Sequence, residues 1–259
     1  MVNYFYMKVL ILIAHANDNG LSSSHRLAEA AKEALLEDGH EVRVVELIKC
    51  GFDKCATKND FTSYPLKEFD YENSHVEAND NLISDIAEQQ KNVQWSTHII
   101  VIGPMWFYRY PACFYAYADR VFCNGFAYTF TNFGEINGPL RGRKAMCVIT
   151  LGGFESTYLP NGPQTTVENI MYHVTRGLFS YCGIKCVRSQ AFYECTQFKS
   201  PFDSPEIMEK WKKAIKNLDK RPLLPFGDAV TPVGNGNPNE GHVLSGLRDF
   251  SLDEAINAI

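Results

Sequence analysis

Long apolar segments are scarce in this sequence. The longest unbroken apolar run near its start covers residues 9–14, whereas a helix that crosses a membrane needs about 20 apolar residues. No cleavage-site pattern follows this run, so it lacks the form of a secretory signal. We therefore expect neither a membrane span nor a signal peptide.

Positive charge is also in short supply. The chain has 25 lysine and arginine residues against 30 aspartate and glutamate residues, and its formal net charge is -5. It has no long basic run of the kind that nucleic-acid-binding or membrane-surface proteins carry. Apolar residues make up 45% of the chain, which is typical of a folded globular protein. We expect small molecules or proteins as partners, and no nucleic acid.

Closely spaced cysteine motifs are missing, although the chain has eight cysteines. No C-x-x-C motif occurs, and the nearest pairs are Cys50 with Cys55 and Cys182 with Cys186. These spacings match neither a zinc site nor a redox dithiol. Reduced thiols without a metal are typical of a cytoplasmic protein, and that is the location we expect.

Two common nucleotide-binding motifs, G-x-G-x-x-G and the Gly-Lys-Ser/Thr of a P-loop, are absent as well. What the chain does contain is a regular alternation of strands and helices. Runs that are apolar throughout predict buried parallel strands at residues 8–14, 42–47, 97–102 and 144–151, and a fifth strand-like piece covers 184–193. Helical periodicity is present at residues 24–38, 82–93, 112–124, 166–181 and 205–218.

This alternation predicts an α/β fold with a doubly wound, five-stranded parallel sheet of order 2-1-3-4-5 and helices on both faces. In such a sheet, ligands bind at the carboxyl ends of the strands, next to the switch between the first and third strands. The loops after the first, third and fourth strands are therefore the expected ligand loops.

We assign the catalytic domain to residues 1–221 and a C-terminal extension to residues 222–259. The extension is rich in proline, glycine and asparagine, and Ser251 with Glu254 then forms a capping box for a short helix. It is interpreted as an arm that wraps the domain or its neighbour, with a disordered tail as the alternative. Residues 57–81 are long, polar and irregular, which indicates an insertion that covers a site or a partner subunit.

The loop after the first strand begins at His15 and ends in three serines, Ser22 to Ser24. Hydroxyls and free backbone N–H groups at the start of a helix can bind an anion. A single serine that caps the helix is the simpler interpretation of the same residues. The position of the loop at the ligand edge favours a phosphate.

The loop after the third strand is unusually aromatic. Residues 103–111 read Gly-Pro-Met-Trp-Phe-Tyr-Arg-Tyr-Pro, although exposed loops are normally small and polar. Aromatic side chains at this place would stack on a flat molecule.

The loop after the fourth strand reads Thr150-Leu-Gly-Gly153, and glycines let a backbone approach a ligand closely. One edge of the sheet would then carry a loop that binds phosphate, an aromatic loop and a glycine loop whose backbone can approach a ligand closely. This combination fits a flavin mononucleotide moiety. Its ring edge would meet backbone N–H groups of residues 104–108 and 150–153.

Several sequence blocks then occur in a recognisable order. They are Pro104-Met-Trp-Phe-Tyr-Arg-Tyr-Pro111, Asp119-Arg-Val-Phe122, Gly125-Phe-Ala-Tyr-Thr-Phe130, Gly138-Pro-Leu-Arg141 and Thr150-Leu-Gly-Gly153. Together they closely resemble the NAD(P)H:quinone oxidoreductases of the DT-diaphorase type. The resemblance runs from about residue 7 to residue 211 and leaves out the C-terminal tail.

This resemblance implies a flavodoxin-like homodimer that binds FAD and shares each active site between two subunits. NAD(P)H delivers a hydride to the flavin and leaves, and a quinone then receives it, in a ping-pong cycle. FMN stays open, because the adenine-side segment Phe69-Asp-Tyr71 aligns only loosely and the loop after His15 is two residues longer. The implied flavin contacts are His15, Ser22, Ser24, Pro104, Met105, Trp106, Phe107, Tyr108, Thr150, Leu151, Gly152 and Gly153.

The resemblance also assigns the residues around the substrate. Those that flank it are Phe107, Tyr128, Phe130 and Tyr181, the last contributed across the dimer. Tyr158 matches a tyrosine beside the flavin, which the family pairs with a histidine. Here the aligned residue is Gln164, which can donate a hydrogen bond but cannot titrate. We expect Tyr158 and water to handle the proton without a histidine relay, with Gln164 as a hydrogen-bond donor and with turnover less sensitive to pH near neutrality.

Other functions use the same fold. An FMN-dependent azoreductase or nitroreductase differs in cofactor and acceptor, and a flavodoxin-like regulatory subunit of a transporter would bind a partner instead of turning over. A one-electron carrier is a further alternative. An aromatic slot accepts any flat acceptor, so the acceptor and the choice between NADH and NADPH stay open.

Overall fold

The computed structural model describes residues 6–64, 66–78, 81–196, 201–226, 249 and 251–257. Six parallel strands form one sheet in these residues, in the order β2-β1-β3-β4, with β5 and β6 both paired to β4. The strands are β1 Lys8–Ile13, β2 Glu41–Glu46, β3 His98–Pro104, β4 Lys144–Thr150, β5 Lys185–Cys186 and β6 Gln190–Phe192. The predicted order 2-1-3-4-5 is confirmed, with the fifth strand divided into two pieces.

Helices cover both faces of the sheet, as the alternation predicts. They are α1 Ser23–Glu37, α2 Tyr71–Ala78, α3 Ser84–Trp95, α4 Ala112–Val121, α5 Gly134–Asn137, α6 Val167–Ile170, α7 Tyr172–Val174, α8 Pro205–Lys216 and α9 Leu252–Asn257. Short 3-10 turns lie at Lys58–Asp60, Glu155–Tyr158, Pro201–Asp203 and Leu218–Lys220. The longest helix in these ranges has 15 residues, and none is long and apolar enough to cross a bilayer.

The sheet buries both of its faces, because successive side chains of a strand point to opposite sides. On β1, Leu10 and Leu12 belong to the core under α3 and α4, whereas Ile11 packs in the core under α1 and α8. Strand β2 differs from the prediction: most of its residues are exposed or half-buried, and Val44 is 38% exposed. The reason is that β2 is an edge strand, so apolar content alone overstated its burial.

Helix α1 closely follows its prediction. The predicted inward residues Leu27, Ala31 and Leu35 are fully buried. Ser22 caps the first turn, and the chain leaves the helix at Gly39 with φ of +78°, a left-handed conformation that glycine adopts without strain.

The fifth strand is broken at Ser189, contrary to the single strand predicted at 184–193. The Ser189 N–H donates to the Glu168 carboxylate at 2.7 Å and its hydroxyl donates at 2.9 Å. The Arg221 guanidinium donates to the backbone carbonyls of Arg188 and Ser189 at 3.0 and 3.1 Å. Side-chain groups therefore take the place of ladder hydrogen bonds at this point.

The helix predicted at 166–181 is also interrupted. It consists of α6, α7 and a π-helical turn at Thr175–Ser180. The Thr175 hydroxyl donates to the carbonyl of Met171, one turn earlier, a bond that competes with the regular backbone pattern.

The insertion at 57–81 is less irregular than predicted. It contains helix α2, and a capping box joins Thr57 and Asp60. Asp60 accepts a hydrogen bond from the Arg120 side chain of α4 at 3.1 Å, and both side chains are at most 7% exposed. The insertion is thereby anchored to the domain by a buried ion pair.

Only part of the C-terminal extension lies within the described residues. Leu224 and Phe226 join the hydrophobic core, and α9 places the buried Ala255 in the second core. The predicted capping box is present, because Ser251 and Glu254 exchange side-chain to backbone hydrogen bonds at 2.9 and 3.1 Å. These contacts attach the described parts of the extension to the domain. Residues 227–248 lie outside the described ranges, so the wrapping arm stays a prediction. The division at 221/222 stays a prediction.

Candidate active site

A cavity of about 370 Å³ opens at the carboxyl ends of β1, β3 and β4. Its lining residues are His15, Leu21, Ser22, Ser23, Ser24, Arg26, Pro104, Thr150, Cys195 and Thr196. The first predicted ligand loop therefore lines the cavity together with Pro104 and Thr150, the last residues of β3 and β4, and with the segment after β6. The aromatic turn and Gly152–Gly153 continue from these strand ends but are not among the lining residues. We call this region the ligand edge and define it as residues 15–24, 104–111 and 150–158.

The serines at the start of α1 have distinct roles. Ser22 caps the helix, because its hydroxyl accepts from the backbone N–H of His25 at 3.3 Å. Ser24 is 1% exposed, and its hydroxyl has no hydrogen-bond partner in the structure. Buried polar groups are normally satisfied, so this hydroxyl is a group that a ligand could complete. The simple capping interpretation holds for Ser22 and leaves Ser24 unexplained.

His15 is positioned to act as a hydrogen-bond donor. Its Nδ1 accepts from the Asn17 backbone N–H at 2.9 Å, so in the neutral ring the proton lies on Nε2. Burial, helped by the nearby His25 ring, lowers the pKa of His15. Near neutral pH the ring is therefore uncharged, and its Nε2–H can donate to a ligand.

The aromatic loop forms a tight two-residue turn. Trp106 and Arg109 exchange backbone hydrogen bonds at 2.8 and 3.1 Å, and the two residues between them, Phe107 and Tyr108, have φ of +49° and +59°. Such a turn needs two left-handed residues and favours Asn-Gly, so aromatic residues here are strained. The turn places the Phe107 side chain in solvent, where it is 94% exposed.

The free backbone donors are fewer than the sequence predicted. Pro104 has no N–H, and the N–H groups of Met105, Trp106 and Leu151 donate to carbonyls within the protein at 2.8–2.9 Å. In the part of the chain that the structure describes, the predicted donors left open to a ring edge are the N–H groups of Phe107, Tyr108, Gly152 and Gly153. Leu151 also turns its side chain into the core, so any contact from Leu151 is limited to its carbonyl.

Gly153 lies directly beside Tyr158. A Cβ at Gly153 would meet the Tyr158 ring at 3.2 Å, so this glycine makes room for the tyrosine as well as for a ligand. The Tyr158 ring also stacks on Tyr193, with ring centres 5.9 Å apart. Burial raises the pKa of Tyr158, and the nearby Tyr108 adds to that shift, so Tyr158 is a neutral phenol that can donate a proton or a hydrogen bond.

Gln164 joins the two other loops of the site. The Tyr108 hydroxyl donates to the Gln164 side-chain oxygen, and the Gln164 backbone N–H donates to Thr157 at 3.0 Å. Gln164 therefore bridges the aromatic turn and the Tyr158 loop. Its catalytic role as a hydrogen-bond donor stays a prediction.

The predicted substrate residues lie in two places. Tyr128 packs edge-on against Tyr181 at 5.4 Å, with Phe133 stacked on Tyr181 at 5.3 Å, and Phe130 is 63% exposed. Phe107 lies in the aromatic turn of the ligand edge, next to Trp106, which packs near His15 at 6.1 Å. A slot built from Phe107 and the Tyr128–Tyr181 pair of another subunit stays a prediction.

Sequence reasoning missed several lining residues. Cys195 and Thr196 follow β6, so the rule that ligands bind at strand ends could have found them once the fifth strand was placed correctly. Arg26 lies just after the serines and also lines the cavity. The His25 ring contacts the Ser22 hydroxyl with one nitrogen and Glu46 of β2 with the other. No local sequence pattern indicates the pairing of His25 with Glu46.

Comparison with known proteins agrees with this geometry. The family model for the flavodoxin-like fold matches residues 7–218. The chain is 32% identical to guinea pig (Cavia porcellus) NAD(P)H dehydrogenase [quinone] 1, covering 83% of this chain and 79% of that protein. It is 29% identical to mouse (Mus musculus) ribosyldihydronicotinamide dehydrogenase [quinone], covering 82% and 92%.

A solved structure shares the same fold. A putative quinone reductase from Klebsiella pneumoniae superimposes with a TM-score of 0.80 at 23% identity, covering 90% of this chain and 93% of that one. The family match and the guinea pig relative together show that this chain belongs to the flavodoxin-like family that includes the NAD(P)H:quinone oxidoreductases.

Proposed function

We propose that this protein is a flavin-dependent NAD(P)H:quinone oxidoreductase that transfers two electrons as a hydride. The observation that carries the proposal is the cavity at the ligand edge, which is lined by the start of α1 and by the residues that end β3 and β4, the strands that lead into the aromatic turn and the glycine loop. The relatives named above are quinone-dependent dehydrogenases, which supports the same reaction class.

The residues present fit a flavin. The unpartnered, buried hydroxyl of Ser24 and the start of α1 would hold a phosphate. The open N–H groups of Phe107 and Gly153 and their neighbours, with the Nε2–H of His15, would face the polar edge of the ring. Each of these donors is complementary to an oxygen or nitrogen acceptor.

When bound, the flavin supplies the redox chemistry, taking a hydride from NAD(P)H and passing it to a quinone. The chain's own task is to hold donor and acceptor in turn against the ring and to exclude water. Tyr158 keeps its proton at neutral pH because burial raises its pKa, so it can stabilise negative charge beside it by donating a hydrogen bond. Gln164 holds the aromatic turn against this loop.

We further propose a homodimer. Phe107 and Phe130 are strongly exposed, and the pair Tyr128–Tyr181 forms a separate aromatic group. Two copies that place this group opposite Phe107 would form a flat slot that suits an aromatic acceptor. FAD is the proposed cofactor and FMN the alternative. The eight free cysteines support a reducing compartment such as the cytoplasm.

The test is to purify the protein, record its visible spectrum, identify any released flavin by chromatography, and measure the oxidation of NADH, NADPH and dihydronicotinamide riboside with and without menadione. Quinone-dependent turnover by a flavin-containing dimer is expected. Tyr158→Phe should lower kcat/KM by about tenfold or more. Tyr6→Phe is the matched control, because Tyr6 precedes β1 at the opposite end of the strands.

The alternatives give different results. FMN in the extract and faster reduction of azo dyes than of quinones would favour an azoreductase. A protein that takes up no flavin, or that binds flavin without acceptor-dependent turnover, would contradict the enzyme and favour a regulatory subunit.

A further inference from the structure

A chain of three side chains runs from the ligand edge into the protein. The Ser22 hydroxyl lies 2.6 Å from Nδ1 of His25, and Nε2 of His25 lies 3.2 Å from a carboxylate oxygen of Glu46. His25 is only 7% exposed, so the protein fixes the partners of both ring nitrogens.

The partners decide which nitrogen carries a proton. Burial alone would raise the pKa of Glu46, but hydrogen bonds and charge from Lys49 and His25 lower it below its ordinary value. Glu46 is therefore a carboxylate, which can only accept, so Nε2 of His25 carries a proton. In the neutral ring, Nδ1 is then an acceptor, and the Ser22 hydroxyl must donate to it. Ser22 has only one proton, so in this state it has none to offer a ligand.

Protonation of His25 reverses this hydrogen bond. Nδ1–H then donates to the Ser22 oxygen, which also accepts from the His25 backbone N–H. A hydroxyl oxygen has two acceptor positions and one proton, so both acceptor positions are filled and the proton is free to turn toward the cavity. Ser22 lines that cavity beside Ser24, whose buried hydroxyl lacks a partner. Ser22 and Ser24 can then both donate a hydroxyl proton into the cavity, and the cationic His25 ring lies behind Ser22.

Other charges around His25 are largely balanced. Glu46 faces it from β2 and is itself bonded to Lys49 at 2.8 Å. The His15 ring lies edge-on at 5.7 Å and is neutral because burial lowers its pKa. Arg26, on the same helix, is paired with Asp203 at 2.8 Å. A bound phosphate would add a negative charge near His25 and would therefore favour the protonated form of its ring.

We propose that His25 is a positioning residue that couples flavin binding to proton uptake: the phosphate binds tightly when His25 is protonated, because only then can Ser22 donate to it. This inference rests on the proposed function, since it concerns the phosphate of the same flavin.

The experiment measures flavin affinity of the flavin-free protein between pH 6 and 8.5 by fluorescence quenching. FAD is the ligand, because its diphosphate does not titrate in this range, and riboflavin is the control that lacks phosphate. We expect the affinity for FAD to fall toward high pH, approaching about tenfold per pH unit for one linked proton, while the affinity for riboflavin stays flat. Calorimetry in two buffers of different ionisation enthalpy should show net proton uptake with FAD only.

Two variants separate positioning from a merely structural role. His25→Gln should bind FAD with little pH dependence and little proton uptake. Glu46→Gln keeps an acceptor for Nε2 but removes the negative charge, so the loss of affinity should begin at lower pH. His40→Gln is the control, because His40 is a buried histidine at the start of β2, away from the ligand edge.

The outcomes are distinct. FAD binding by the wild type without proton uptake, or an unchanged pH slope in His25→Gln, would overturn the coupling and leave the proposed function intact. If His25→Gln fails to fold, the shift in Glu46→Gln decides the question. Absence of binding by both FAD and riboflavin would overturn the coupling together with the proposed function.

Discussion

At the ligand edge, the buried Ser24 hydroxyl lines a cavity without a hydrogen-bond partner, whereas beside β5 and β6 the side chains of Glu168, Ser189 and Arg221 are hydrogen-bonded to protein groups. We call the second region the buried polar cluster and define it as Glu168, Ser189 and Arg221. The ligand edge includes the end of β4, and Ser189 of the cluster directly precedes β6, which pairs with β4. In the cluster, both carboxylate oxygens of Glu168 accept from Ser189 and the Arg221 guanidinium donates to backbone carbonyls.

The difference shows what each region is for. Satisfied buried polar groups fix a single structure, whereas breaking one leaves an uncompensated group in a low-dielectric interior. Unsatisfied groups and strained turns raise the free energy of the folded protein unless a ligand completes them. Changes in the cluster should therefore affect stability, and changes at the ligand edge should affect binding and turnover.

The largest effect is expected from Arg221→Met. The substitution removes the donor to the carbonyls of Arg188 and Ser189 and leaves Glu168 without a nearby cation, so the free energy of unfolding should fall by about 3–5 kcal/mol. Urea unfolding measures it. Lys220→Met is the control, because Lys220 is exposed. A loss below about 1 kcal/mol in Arg221→Met would show that the cluster is not a structural centre.

A smaller effect, dependent on pH, is expected from Glu168→Gln. Burial raises the pKa of Glu168 in the folded protein to about 7, from its ordinary value of 4.5. The contribution of the protonated side chain to stability is therefore fully present below about pH 4.5 and is lost as the pH rises to about 7. The glutamine variant should gain stability relative to the wild type over this range, by roughly 2–3 kcal/mol at pH 8. Thermal or urea unfolding from pH 5 to 8 measures it. If the stabilities of the wild type and of Glu168→Gln changed with pH in the same way, the raised pKa of Glu168 would be contradicted.

Next is a paired change at the aromatic turn, Phe107→Asn with Tyr108→Gly. Asn-Gly suits two left-handed residues, so unfolding should cost about 1–2 kcal/mol more, even though an aromatic pair is removed. Quinone-dependent turnover should fall strongly, because the exposed Phe107 ring is lost. Unfolding and menadione assays on one preparation measure both. Unchanged turnover would mean that the strained turn does not serve the acceptor.

The smallest effect on stability is expected from Gly153→Ala. The new Cβ would lie 3.2 Å from the Tyr158 ring and push it aside, so stability should change by less than about 1 kcal/mol while kcat/KM falls severalfold. Gly177→Ala is the matched control, since its Cβ would meet no atom within 4 Å and Gly177 lies in the π-helical turn, outside the ligand edge. Equal losses in both variants would contradict a specific role for the Gly153–Tyr158 contact.

The parts predicted well from sequence are those determined by local pattern. Helix α1 has its inward Leu27 and Leu35, its Ser22 cap and its terminal Gly39 within one continuous segment, so periodicity and capping rules suffice. The three ligand loops follow from strand order alone, because the carboxyl ends of parallel strands share an edge.

The parts that sequence could not predict depend on contacts between distant residues. The fifth strand breaks because Ser189 binds Glu168, which lies 21 residues earlier. His25 reaches Glu46 across the same separation. The Phe107 turn is unexpected for a further reason: its backbone conformation opposes local preference and is imposed by the Trp106–Arg109 bridge.

The central claim is that the open groups of the ligand edge are completed by a flavin. The most direct test is the free energy of unfolding of wild type and Ser24→Ala, each with and without FAD. Without flavin, Ser24→Ala should be no less stable, because it removes an unsatisfied buried hydroxyl. With FAD at about 100 times Kd, the wild type should gain about 2.7 kcal/mol, and Ser24→Ala should gain clearly less at the same concentration. Equal gains would contradict a role for Ser24, and no gain in either protein would contradict the flavin site itself.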